Sequence, residues 1–228
     1  MSAEDFLAGK TLLIDKPLEW SSFQVVNKIR WLIRKKYDIK KIKVGHAGTL
    51  DPLATGLLLI CTGKSTKTIN ELQGQIKEYT GTIQLGSTTP SYDLETEVDK
   101  TFPTDTITEA QILKTTKQFI GEIEQYPPIF SALKKDGKRL YEYARKGEKV
   151  EIKPRKIQIE EFEITQVNLN NMTVDFRVVC SKGTYIRSLA HDFGKAIQNG
   201  GHLVSLRRTK IGDYDVKNAE TIEIFESK

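Results

Sequence analysis

Along "FQVVNKIRWLIRKKY" the apolar residues Phe23, Val26, Ile29 and Ile33 recur at the spacing of one helical face, and the cations collect at the end that the helix dipole favours. Ser21 followed by Gln24 supplies a capping box at the start. Upstream, "KTLLIDKP" is a short apolar strand stopped by Pro17. "TGLLLICTG" shows no alternation, which predicts a strand buried on both faces. "KEYTGTIQLG" instead sets Tyr79, Gly81, Ile83 and Leu85 against Glu78, Thr80, Thr82 and Gln84, the period of a half-exposed strand. In "STTPSYDLETEVDK" the pattern turns polar and acidic and predicts a long mobile loop. "TEAQILKTTKQFIG" then reads as a helix capped by Thr108 with Gln111 and ending near Gly121. "IQIEEFEITQV" and "MTVDFRVVC" predict two long strands that turn at Asn170 and Asn171. Finally, "GTYIRSLAHDFGKAIQNGG" places Ile186, Leu189, Ala190, Phe193 and Ile197 on one helical stripe. Helices and strands mix without βαβ regularity and without an internal repeat, so the fold class is α+β.

Composition adds a core and a charge. The chain has 228 residues, 38% of them hydrophobic, enough to bury a sizeable core in one domain spanning 1–228. Lys and Arg number 35 against 30 Asp and Glu, a net charge of +5 concentrated at Arg34-Lys35-Lys36, Lys40-Lys41 and Arg207-Arg208. That balance suits a polyanionic partner. Cys61 and Cys180 each end an apolar run and read as buried thiols in a reducing compartment. No signal-peptide core and no apolar run of the ~20 residues a membrane helix needs is present, so a cytoplasmic protein with no membrane partner is expected. His46, His191 and His202 lack ligand spacing, so no metal is expected. No apolar heptad seam is visible, so the expectation is a monomer with no obligate protein partner.

Candidate chemistry concentrates in a few stretches. Gly63-Lys64-Ser65 is the tail of a Walker A motif, but the glycine required five positions earlier is Leu58, which excludes a phosphate cradle of that kind. In "GHAGTLDPLATG", Asp51 before Pro52 fits a structural turn cap. It equally fits a nucleophile, because Gly45 and Gly48 permit close approach of a ligand and His46 offers a flat hydrogen-bonding ring. Arg187 opens a helix, where a cation opposes the dipole; it is either solvated or paired with a buried carboxylate. Tyr79 and Tyr185 fit core aromatics or surfaces for stacking a base. The run from Phe130 to Arg145, aromatic and basic by turns, suits a nucleic-acid contact.

"KVGHAGTLDPLATGLLLICTGKSTK" resembles the signature of the TruB-type tRNA pseudouridine synthases, which isomerise the T-loop uridine at tRNA position 55. "LLIDKPLEWSS", "KEYTGTIQLG", "YPPIFSALKKDGKRLYEYARKG", "CSKGTYIRSLAHDFG" and "HLVSLRR" resemble that family's blocks in its order, across 9–217. The resemblance implies a mixed, largely antiparallel central sheet with flanking helices, no cofactor, and tRNA, through its T arm, as partner. By similarity, Asp51 is the nucleophile, and His46 holds the flipped-out nucleotide or fills the space it leaves. Tyr79 stacks on the uracil and helps move a proton. Tyr185 lines the nucleotide pocket, Arg187 pairs with Asp51, Leu206 closes an apolar wall, and Lys16 supports the loop. Many members carry a C-terminal PUA domain; about ten residues follow Asn218, too few for one. A second function, a tRNA-folding chaperone acting on the T arm with catalysis secondary, would use the same basic surface. A guide-dependent enzyme acting on ribosomal RNA is a third, disfavoured by the lack of an added RNA-binding domain.

Overall fold

The first predicted helix forms as α2 (Ser22–Tyr37), with the reciprocal Ser21 and Gln24 capping box in place. Its buried face is Val25, Val26, Ile29, Leu32 and Ile33, whereas Phe23 is 63% exposed. Phe23 is displaced from the predicted stripe because Ser22 takes the inward position of the first turn. The Ser22 hydroxyl there donates to Leu50 O (3.0 Å) and accepts from Leu50 N (2.8 Å).

The structure, a computed structural model, describes residues 2–228, and the chain divides into two units. One unit runs to Tyr79 and resumes at Leu206; the other is Thr80–Ser205. In the first, α1 (Ala3–Ala8), α2 and α7 (Ile222–Ser227) cover one face of β1 (Thr11–Lys16) and β3 (Ala54–Thr62), enclosing Phe6, Leu12, Ile14, Leu58, Ile60 and Ile222. Leu57, Leu59 and Cys61 point the other way, onto Ala47, Leu72 of α3 (Ile69–Gly74) and Ile211. The unbroken apolar run of β3 is thus buried on both faces, the reason it lacks alternation. β1 pairs antiparallel with β3 from Thr11↔Cys61 to Lys16↔Gly56, and β2 (Val44–His46) pairs antiparallel with its far end. The end of β12 (Gly201–Ile211) runs parallel to β3 at Leu206↔Ala54 and Arg208↔Gly56, then turns back as β13 (Tyr214–Asp215). A side chain at Gly56 (φ +102°) would lie 2.3 Å from Arg208 O, so only glycine permits this approach. The start of β4 (Lys77–Leu85) is tied to β12 here, Thr209 Oγ1 donating to Glu78 O at 3.2 Å.

In the second unit β10 (Arg155–Asn168) lies antiparallel between β11 (Thr173–Cys180) and β7 (Gly121–Gln125). The β10–β11 turn contains Asn170 and Asn171 as predicted, and Asn168 Oδ1 accepts from Asn171 N at 3.1 Å. Every member of the predicted stripe on α6 (Ile186–Ala196) and at Ile197 is buried, with Phe193 edge-on to Phe162 in a cluster that includes Phe119 and Phe176. α4 (Glu109–Thr115) carries the predicted Thr108 cap.

The acidic stretch expected to be a mobile loop is instead pinned. β5 (Ser87–Thr88) pairs with β6 (Lys100–Thr101), and Thr88, Thr89, Ser91 and Asp93 are buried. Thr88 donates to Asp99 (2.7 Å), Thr89 to Asp93 O (2.6 Å), and Ser91 pairs with Thr96 (2.8 Å). Its polar side chains bond to one another and to its own backbone, a distinction composition cannot carry. Further on, Asp136 and Gly137, both at positive φ, turn β8 (Lys134–Lys135) into β9 (Lys138–Arg139) ahead of α5 (Leu140–Arg145). The aromatic and basic run there interleaves, with Arg145 5.2 Å from the Tyr141 ring.

The architecture is mixed α+β, a largely antiparallel central sheet with flanking helices. Among the described residues no helix is long and apolar enough to cross a membrane.

Burial pushes Asp192 of α6 up to about 6, partly opposed by Lys195. Its folded pKa exceeds its unfolded value, so its stabilising contribution is full below about pH 4 and lost as pH rises through about 6. Asp192→Asn is therefore expected to raise stability at pH 7.5 by about 1–3 kcal/mol, with a smaller gain at pH 5, as read from urea midpoints at the two pH values.

Candidate active site

Asp51 sits between β2 and β3 on a loop whose backbone is tied at successive residues. Gly48 O accepts from Arg208 Nη2 (3.0 Å), and Leu50 is held through both its N and O by Ser22. Asp51 O accepts from Ala54 N (3.1 Å), and Pro52 O accepts from Glu19 N (2.8 Å) and Lys16 Nζ (3.3 Å). A carboxylate on such a loop is placed before any ligand arrives, the condition a nucleophile needs.

Lys16 and Arg208 underlie that loop. The Lys16 side chain is fully buried at the end of β1, and its three donors meet Pro17 O (2.8 Å), Trp20 O (2.6 Å) and Pro52 O. Burial pulls its pKa down to about 8; Asp51 nearby opposes that shift and Arg208 adds to it. Lys16 thus remains a cation at neutral pH, with the nearby Asp51 favouring its charged form. Lys16→Met is expected to lower stability by about 2–4 kcal/mol, by stranding three carbonyls and freeing Pro52, measured as a shift of the urea midpoint. Arg208, 1% exposed, donates from Nε to Leu57 O at 2.8 Å and so bridges β3 to the Gly48 turn.

His46, opposite Ile60 in β2, is half-buried, and its Nδ1 has no hydrogen-bond partner among the described residues. Burial, reinforced by Arg208, lowers its pKa, so at neutral pH it is an uncharged flat ring. Leu206 is half-buried opposite Ala54, three residues past Asp51, and its carbonyl accepts from Thr55 Oγ1 at 3.4 Å. Tyr79 is 8% exposed in β4. Beside Leu206, Arg207 forks onto Asp15 at 3.0 and 2.7 Å. The first unit therefore contains His46, Asp51, Lys16, Leu206 and Tyr79, with Lys16 and Asp51 within electrostatic reach.

Tyr185 and Arg187 belong to the second unit. The Gln125 side chain clamps Tyr185 at both backbone groups, accepting from its N (2.8 Å) and donating to its O (3.0 Å). The half-buried Tyr185 ring lies 5.2 Å from the Arg155 guanidinium. Arg187 is not solvated at its helix start: its side chain is 5% exposed and Nη1 lies 3.5 Å from Asp93 Oδ2 and 3.3 Å from Ser91 O. A buried carboxylate offsets the unfavourable dipole.

Three residues escaped the sequence reading: Ser22, Arg208 and Asp93. Each acts on a partner distant in sequence, and no local spacing marks it. Only the quoted blocks "EWSS" and "SLRR", which contain the first two, offered a signal.

Comparison with known proteins identifies the group. Residues 34–186 match the family described as TruB family pseudouridylate synthase (N terminal domain), and 187–227 match tRNA pseudouridylate synthase B C-terminal domain. A relative from Flavobacterium johnsoniae, tRNA pseudouridine synthase B, is 68% identical over 99% of this chain and 98% of its own. One of the same name from Phocaeicola vulgatus is 55% identical over 97% of this chain and 93% of its own. Among solved structures, a chain of "Crystal Structure of a Cbf5-Nop10-Gar1 Complex" superposes over all of this chain with a TM-score of 0.71 at 27% identity. A chain of "Structure of H/ACA RNP bound to a substrate RNA containing 2'-deoxyuridine" covers 97% with a TM-score of 0.69 at 26%. This chain spans 56% and 53% of those two chains, respectively. By both family matches, which together take in most of its length, the chain belongs to the TruB family of pseudouridylate synthases.

Proposed function

We propose that this chain converts the T-loop uridine at position 55 of tRNA to pseudouridine, with Asp51 as its nucleophile. The relatives named tRNA pseudouridine synthase B supply the substrate class. The observation that carries the residue assignment is the Asp51 loop, tied through Gly48, Leu50, Asp51 and Pro52.

The reaction is an isomerisation. The N1–C1′ bond breaks, the uracil turns, C5 bonds to C1′, the proton on C5 leaves and N1 regains one. No electron is gained or lost, so no redox cofactor is called for. Asp51 acts at the sugar, by attack at C1′ or by assisting elimination there, and is the same group in either route. Arg187 is the cation that pairs with the Asp51 carboxylate. Tyr79 stacks on the uracil and serves the C5 proton. Tyr185 and Leu206 wall the nucleotide, and the neutral His46 ring occupies the stack the base has left. Extrusion of the base costs a few kcal/mol, which stacking on Tyr79 and enclosure by Leu206 offset. Lys16 keeps the loop in register. The chain works as a cytoplasmic monomer on the T arm, without a metal.

Tritium release from a T-arm hairpin carrying 5-tritiated uridine tests the reading. The proposal expects release; a folded protein that binds the hairpin and releases nothing would overturn it.

A further inference from the structure

We propose that the cleft between the last turns of α2 and strand β2 is a phosphate-binding track for the backbone of the RNA whose uridine reaches Asp51. The inference rests on the tRNA reading above and adds a second place of contact to it.

Five cations, Arg30, Arg34, Lys40, Lys41 and Lys43, line a cavity of about 480 Å³ together with Val44 and Gly45, and no carboxylate lines it. None of the five is ion-paired among the described residues. The α2 dipole accounts for cations in its last turn, Arg34 among them. It does not account for Lys40, Lys41 and Lys43, which lie beyond the left-handed cap at Asp38. Concentrating five like charges around one concavity costs stability through repulsion, which an anionic ligand relieves.

The arginines are already oriented. Arg30 donates to Asn27 Oδ1 (3.1 Å) and Val44 O (3.3 Å), and Arg34 Nε donates to Ile39 O (3.3 Å). Backbone and amide acceptors thus fix the guanidinium groups while leaving their charge uncompensated, so little ordering remains to be done on binding. Five cations over this volume match several consecutive phosphodiesters better than one small anion. The cleft borders the strand that leads to the site: Gly45 lines it, and His46 is the next residue of β2, its side chain on the opposite face. In the proposed track, the phosphates that flank the nucleotide at Asp51 run along this edge of β2.

The test is hairpin binding to the full chain by fluorescence anisotropy across a salt series. Compared are the parent, Arg34→Glu with Lys41→Glu, and a charge-matched control, Lys114→Glu with Lys117→Glu on an exposed part of the other unit. The cleft variant is expected to bind at least about tenfold more weakly near 0.1 M salt, with a log Kd against log salt slope smaller by about 1–2. The control should track the parent. The neutral pair Arg34→Gln with Lys41→Gln should give an intermediate loss, and it serves as the test should the reversals fail to fold. A cleft variant that matches the control in affinity and slope overturns the proposal. A parent that releases no tritium defeats the functional reading; a parent that releases it while the cleft variant binds normally defeats only the cleft.

Discussion

Asp51→Asn is expected to lower pseudouridine formation by at least about 10⁴-fold while leaving the Kd for a T-arm hairpin within a few-fold of the parent. Asparagine has the shape of aspartate but cannot serve as the carboxylate nucleophile. The backbone ties of the loop survive the change, because they engage Gly48, Leu50, Asp51 and Pro52 through main-chain atoms. The loss is therefore chemical, not a collapse of the loop. A modest fall in stability accompanies it, since Lys16 loses the charge that opposes its desolvation. Single-turnover tritium release, with hairpin binding measured in parallel, separates the two effects. The same variant distinguishes a chaperone from an enzyme: T-arm refolding should survive it, and isomerisation should not. Loss of binding in step with loss of release would instead make Asp51 a structural cap.

The second large effect is expected at a residue the sequence did not nominate. Arg187 and Asp93 are 5% and 8% exposed and 3.5 Å apart, so removing the Asp93 carboxylate takes a close countercharge from a buried guanidinium. Such a change costs about 3–5 kcal/mol. Asp93→Ala should accordingly lower Tm by on the order of 10 °C. Catalysis should fall too, because the cation proposed to hold Asp51 loses its brace. The gentler Asp93→Asn retains an acceptor for the Glu95 amide, 3.0 Å from Asp93 Oδ1, and removes only the charge. In that variant kcat is expected to fall with KM little changed, a split that a purely structural role for Asp93 would not produce. A Tm unchanged in Asp93→Ala would show the pair to be dispensable.

These two predictions mark how far the sequence could be read. Elements whose apolar spacing is set by burial alone were legible: α6 from Ile186 to Phe193, with one buried face, and β3, whose lack of alternation reports burial on both sides. Phe23 was misplaced because a serine, polar but locked onto Leu50, holds the inward position, and hydropathy cannot see a satisfied hydroxyl. The acidic stretch misled for the same reason, its threonines and serine being turned inward onto their own loop. Asp51 was legible as a residue, since glycines and proline punctuate a tight turn around it, but its supports were not. Arg208 reaches Gly48 across 160 positions and Ser22 reaches Leu50 across 28, distances over which no spacing rule operates. Lys16 was expected to support the loop; of its three carbonyl contacts, the one to Pro52 lies on that loop, and those to Pro17 and Trp20 lie between β1 and α2.

The central claim is that this chain isomerises one uridine in the T loop of tRNA. The most direct measurement uses full-length tRNA carrying 5-tritiated uridine at position 55 alone, beside tRNA labelled only at another T-loop uridine. The account predicts release of the label from the first to completion and none from the second. Release from the second with none from the first would contradict it.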